Sequence, residues 1–198
     1  MSGQRPPIVA IVLPRTAAGP ALRMQHALAT HPGHFTPVIL GPPGTPFGSL
    51  AHIPLTPSWF PFRAARRYAT GLTTALRTLH PAVIEVHDAP ELAAWLGGQF
   101  RPVPVILVLH TDPRALPGAH TPAARTYLLA QATRVAAVTA ELRTRMLDGV
   151  HPAMRHCTLL PSTDSPDGAA GAAALADALD ALRMDALKAW SRTLHRPI

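Results

Sequence analysis

Cysteine is almost missing from this chain: Cys157 is the only one in 198 residues. That excludes an internal disulfide and any metal site built from several thiolates, and its place in an apolar run reads as a plain core thiol. Lysine is as scarce, with Lys188 alone among 18 lysines and arginines. Aromatic residues make up only 5% and rarely interleave with the arginines, which are themselves spread along the chain. A nucleic-acid-binding surface therefore finds only weak support, and no nucleic-acid partner is expected. The longest apolar runs, Ile8 to Leu13 and Val103 to Leu109, fall well short of the about 20 residues that a membrane-spanning helix needs. Met1 to Pro7 is polar and has no apolar stretch ending at a small-residue cleavage site, so the expected location is the cytoplasm. The loop GPPGTPFGS has phosphate-loop flavour without the Gly-Lys-Ser/Thr ending, and HExxH, CxxC and GxSxG are all missing. The 11 histidines are scattered, so neither a metal nor another cofactor is expected.

What is present is a rhythm. Short apolar runs alternate with helical patterns, as in βα units built on a parallel sheet. Ile8 to Leu13, Thr36 to Leu40, His52 to Pro54, Ala82 to Val86, Val103 to Leu109, Val135 to Val138 and Cys157 to Leu160 read as strands. Helices are expected over Pro20 to Ala29, Phe62 to Leu79, Asp88 to about Gly97, from Thr121-Pro122, and over Ala140 to Leu147. Pro161 to Ala174 is small, polar and glycine-bearing, and beyond it Leu175, Leu179, Leu182, Ala186, Trp190 and Leu194 form an amphipathic stripe. That stripe needs a covering surface, either this sheet or another chain. The expected fold class is α/β: a single Rossmann-like, doubly wound domain with a mostly parallel sheet over residues 1–164, a linker over 165–174, and a C-terminal amphipathic helix and tail over 175–198.

Ligands of open parallel sheets collect outside the carboxyl ends of the strands, where the strand order switches. Three polar clusters fall at such ends. Arg15 and Gly19 follow the first strand and precede a helix, where a residue without Cβ lets an anion approach the helix amides; a simple turn glycine reads equally well. His87 and Asp88 follow the fourth, with Glu91 one helical turn on; capping of the next helix is the plainer reading of the two acids. His110 and Asp112 follow the fifth, where they can bind sugar hydroxyls or assist proton transfer, or simply form a surface Asp-Pro turn. The net charge of +7 favours anionic partners.

The runs VIEVHDAPELAAWL, VPVILVLHTDP, RVAAVTAELRTRML and LLPSTD, in that order, resemble the N-terminal domain of GT-B glycosyltransferases of the family 4 type, above all bacterial enzymes of surface polysaccharide and lipopolysaccharide synthesis. The family runs are close to IEVHNRPEL, LHNDP, VSxxLRxxxL and LPNGxD. The opening IVAIVLPRTAAGPALRMQHALA fits the family's first βαβ unit, so the likeness covers most of residues 8 to 164. It implies retaining, metal-independent transfer of a hexosyl group from a nucleotide sugar to a glycan or lipid-linked acceptor. On that basis Gly19, with Arg15 beside it, is the donor-loop candidate. His110, with Asp112, faces the transferred sugar as the catalytic candidate, and His87, Asp88 and Glu91 lie on the acceptor side. The arginine-rich helix Phe62 to Leu79 favours an anionic acceptor or membrane surface, or is a solvated face. Thr111 stands where the family has Asn, Thr139 where it has Ser, and Ser162-Thr163 where it has Asn-Gly. The family's donor-binding base and its pair of glutamates find no counterpart in residues 165 to 198, so the expectation is a half-transferase whose donor domain comes from a second chain. The alternatives are a non-catalytic accessory or remnant domain that binds glycan or pairs with a full-length transferase, and a regulatory domain for a phospho-ligand.

Overall fold

A computed structural model describes residues 6–13, 33–43, 50–55, 61–101, 103–161 and 168–194. Arg15 and Gly19, the helix expected over Pro20 to Ala29, most of the Pro/Gly loop and Ser162 to Asp164 lie outside the described residues.

Seven strands form one sheet: β1 (Ile8–Val12), β2 (Thr36–Gly41), β3 (Ala51–Pro54), β4 (Val83–His87), β5 (Val105–Leu109), β6 (Arg134–Ala137) and β7 (Thr158–Leu159). Their spatial order is β3-β2-β1-β4-β5-β6-β7 and every pairing is parallel. This is a Rossmann-like α/β sheet, and its order reverses between β1 and β4. The inner strands are continuous apolar runs because both faces of a parallel sheet are covered. β5 starts two residues later than the apolar run because Pro104 has no N–H to give the ladder; its carbonyl instead accepts from the Ile84 amide at 3.0 Å. β7 is only two residues long, leaving Cys157 just before it, buried; burial pushes its thiol up to about 11.

On one face lie α1 (Pro61–Leu79), α2 (Pro90–Gln99), α3 (Pro122–Gln131) and α4 (Ala140–Leu147). Leu72, Leu76, Leu96, Leu128 and Met146 from these helices pack on Ala10, Ile84, Val86 and Leu107 of the sheet. Helices α3 and α4 begin as their sequences predict, with the Thr121 hydroxyl accepting from the Ala124 amide at 3.1 Å and the Thr139 hydroxyl from the Leu142 amide at 3.2 Å.

On the other face lies α5 (Gly168–Leu194). Leu175, Ala176, Leu179, Leu182 and Ala186 are buried against Val9, Ile11, Ile39, Val83, Ile106 and Val108. This part of the amphipathic stripe is therefore covered by the chain's own sheet. Each fully buried leucine there contributes about 1.5–3 kcal/mol relative to exposure. The helix starts at Gly168, so residues 168–174, read from sequence as linker, already belong to it. Asp180 on the same helix reaches back to residues before β2: it accepts from the His34 amide at 3.1 Å and pairs with the His34 ring.

Candidate functional site

The carboxyl ends of β4 and β5 carry the most concentrated polar chemistry among the described residues. Side chains alternate along a strand, so Glu85 and His87 point to the same face of β4, the face that α5 covers. Both are fully buried. A charged group in that position is tolerated only with partners, and each has them. Arg183 of α5, 4% exposed, donates from Nε to Glu85 Oε2 at 2.7 Å. His87 Nε2 lies 2.9 Å from Glu85 Oε1. Burial alone would raise the Glu85 carboxyl; the Arg183 guanidinium and the His87 hydrogen bond outweigh it and hold the group down at about 2.

The chain of contacts runs on to the strand ends. His87 Nδ1 lies 2.9 Å from Nε2 of His110, the residue that follows β5, and the two rings meet edge to edge, 16° from coplanar, with centroids 5.2 Å apart. Arg183, Glu85, His87 and His110 thus form a line from the buried flank of α5 to the carboxyl edge of the sheet, beside the strand-order switch.

Asp88 fixes the outer end of this line. Its Oδ1 accepts from the His110 amide at 2.7 Å and the Thr111 amide at 3.0 Å, and its Oδ2 from the Thr111 hydroxyl at 3.0 Å. Asp88 sits at φ 48°, a left-handed conformation that aspartate accepts more readily than most residues. The expected helix cap is not what forms: the N-cap position of α2 is Ala89, without a side-chain cap, because the Asp88 carboxylate is spent across the strand gap. Asp88→Ala is expected to lower stability by about 1–3 kcal/mol, since it strands the end of β5 without acceptors. Amide exchange at His110 and Thr111 should accelerate together, while Asp88→Asn should keep most of the protection. Unchanged exchange in Asp88→Ala would remove the proposed anchoring role.

The remaining predicted residues are distributed differently. Asp112 accepts from the Arg114 amide at 3.0 Å, capping a short 3-10 turn, and pairs with Arg145 of α4. The Arg114 amide, and then Arg145, hold its carboxyl below the usual range. Asp112 is thereby tied to α4. Glu91 stands in the first turn of α2, under the Gly118 backbone. His87, expected as an acceptor contact, is fully buried, so any influence it has on a ligand passes through His110. Sequence reasoning missed Glu85 and Arg183 as site residues. The signal for Glu85 was a lone acid inside the apolar run VIEV. At the end of β1, Tyr68 of α1 donates its hydroxyl to the Leu13 carbonyl at 2.7 Å; burial pushes that phenol up to about 12.

No group of three or more His, Cys, Asp or Glu arranged to hold a metal ion occurs among the described residues, and no described helix is long and apolar enough to cross a membrane. No protein-family model matches the sequence, and neither does any curated protein. Solved structures do match. UDP-GlcNAc 2-epimerase from Methanocaldococcus jannaschii aligns with a TM-score of 0.51 at 13% identity, over 78% of this chain and 45% of that one. The Neisseria meningitidis UDP-GlcNAc 2-epimerase, bound to UDP-GlcNAc, gives 0.50 at 15% identity, over 79% and 46%. The glycotransferase of kitacinnamycin gives 0.50 at 13% identity, over 83% and 54%. The likeness is one of fold. This chain spans about half the length of each of these proteins.

Proposed function

We propose that this chain is the acceptor-side Rossmann-like domain of a GT-B glycosyltransferase-type protein, transferring a hexosyl group from a nucleotide sugar to a glycan or lipid-linked acceptor. The observation that carries this reading is the buried Glu85–His87–His110 line, which emerges at the carboxyl edge of β4 and β5 beside the strand-order switch. That edge is where open parallel sheets receive ligands. A histidine whose orientation is set by a buried carboxylate through a second ring suits hydroxyl recognition and proton transfer. The fold shared with a protein bound to UDP-GlcNAc supports a nucleotide sugar as one ligand. The family likeness of the four motif runs supports the rest. In this reading Gly19 and Arg15 approach the donor diphosphate, and the groups that grip it come from a further domain or chain. Glu91 and Asp88 border the acceptor side. Arg77, exposed on α1, suits an anionic acceptor or membrane surface.

The test is a titration of isotope-labelled protein with UDP-, GDP- and ADP-sugars and with oligosaccharide acceptors. The His110 and Thr111 amides are expected to shift, with dissociation constants of about 1 mM, or about −4 kcal/mol, for a nucleotide sugar bound by one side of its cleft. Sub-micromolar binding with sugar release by this chain alone would overturn the division of labour. Amides at this edge that stay still with every ligand would overturn the reading altogether.

A further inference from the structure

We infer that Arg183, near the middle of α5, is a positioning residue for His110: by keeping Glu85 a carboxylate it dictates which ring nitrogen of His87, and then of His110, carries the proton. The inference rests on the reading of this edge as a ligand cleft only for what His110 meets there.

The chemistry follows from the donors and acceptors. An ionised carboxylate only accepts, and both Glu85 oxygens are engaged, Oε2 by Arg183 and Oε1 by His87. His87 Nε2 must therefore carry a hydrogen. In the neutral ring its Nδ1 is then a lone pair, which accepts from Nε2–H of His110 across 2.9 Å. His110 is left with Nδ1 as its acceptor nitrogen. When His110 Nδ1 takes a proton, its Nε2 proton can pass to His87 Nδ1. The products are a neutral His110 protonated on Nδ1 and a His87 imidazolium against the Glu85 carboxylate. One proton enters at the sheet edge, one moves inward, and no other group changes.

Arg183 governs this because it is the other cation on the same carboxylate. Among the described residues, little else nearby is charged. β1 contributes Val9 and Ile11 to this face, Leu13 follows them, and β5 contributes Ile106 and Val108. The neighbouring acids of α5, Asp180 and Asp185, are engaged by His34 and Arg134. Asp88 is spent on the His110 and Thr111 amides. With a neutral residue at 183, the Glu85 charge is left to His87 alone in a low-dielectric setting. Either His87 then holds a second proton or Glu85 takes one, and in both cases the fixed tautomer pair is lost.

The test is nitrogen-15 spectroscopy of labelled histidines in the ligand-free protein at neutral pH. The wild type is expected to show Nε2–H, Nδ1-lone-pair rings at both His87 and His110. Arg183→Met and Arg183→Gln are expected to lose that pattern at both rings, and Arg183→Lys to restore it. A wild-type His87 protonated only on Nδ1, or variants folded by circular dichroism with both rings unchanged, would overturn the inference. If Arg183→Met does not fold, the wild-type tautomers and the contrast between Arg183→Lys and Arg183→Gln decide. No nucleotide sugar enters the measurement, so its outcome is separable from that of the ligand titration.

Discussion

Glu85→Leu is expected to destabilise the domain by about 3–5 kcal/mol, among the largest single losses this fold can suffer. The cause is the charge left behind. Arg183 is 4% exposed and, among the described residues, its counter-ion is the Glu85 carboxylate, so removing the acid leaves a guanidinium buried without that partner. The double variant Glu85→Leu/Arg183→Met should recover most of that loss, because exchanging both members of a buried pair for apolar residues of similar size is often close to neutral. What stays lost is the His87 hydrogen bond, worth about 1 kcal/mol. Chemical denaturation of the four proteins closes the cycle; additive losses would mean that the pair does not act as a unit. Acid unfolding supplies an independent check. The Glu85 carboxyl sits at about 2 in the fold against 4.5 for the free group. A depressed value means that its contribution is complete above pH 4.5 and is lost as the pH falls from there toward 2. Glu85→Leu should flatten that part of the stability profile, leaving the slope from Asp112, which is also depressed.

The second large effect is expected at Gly118. Its φ of 81° is left-handed, and a Cβ there would lie 2.8 Å from both Cα and N of Glu91. Those are backbone atoms in the first turn of α2, so no side chain can swing away. Gly118→Ala should cost about 2–4 kcal/mol, combining an unfavourable conformation with forced separation of two packed segments. Because residues 110–119 connect His110 to this contact, chemical shifts at His110 and Thr111 should move as well. An alanine variant as stable as the wild type, with unshifted His110, would show that the 113–119 turn is free to relax.

Much of this architecture is legible in the sequence for one physical reason: strands buried on both faces are apolar without interruption, so IVAIV and VILVL announce themselves. The starts of α3 and α4 are legible because helix initiation depends on local sequence, and the threonines before them cap those helices. Gly168 to Ala174 misleads, since its glycines and the Ser-Pro-Asp before them suggest a linker, while the alanines favour helix once the sheet holds the next turns. Asp88 misleads for the opposite reason. Its spacing to Glu91 suits a cap, but the end of β5 offers it two amides and a hydroxyl. His87 and His110 are legible as strand-end residues. That they touch each other, and that Glu85 meets Arg183 across 98 residues of sequence, follows only from strand order and from where α5 lies.

The position of α5 also sets a timetable. On the ribosome, β1, β4 and β5 leave the exit tunnel well before Leu175 to Ala186, the residues that cover Val9, Val83 and Ile106. The strip beneath α5 therefore waits, uncovered by it, until residues 175–186 follow, and Glu85 waits for Arg183. During that interval the nascent sheet offers an apolar surface with an acid at its centre, one that water or a chaperone can occupy. Burial of that acid, and with it the pairing of the two histidines, therefore comes after β1, β4 and β5 have all emerged.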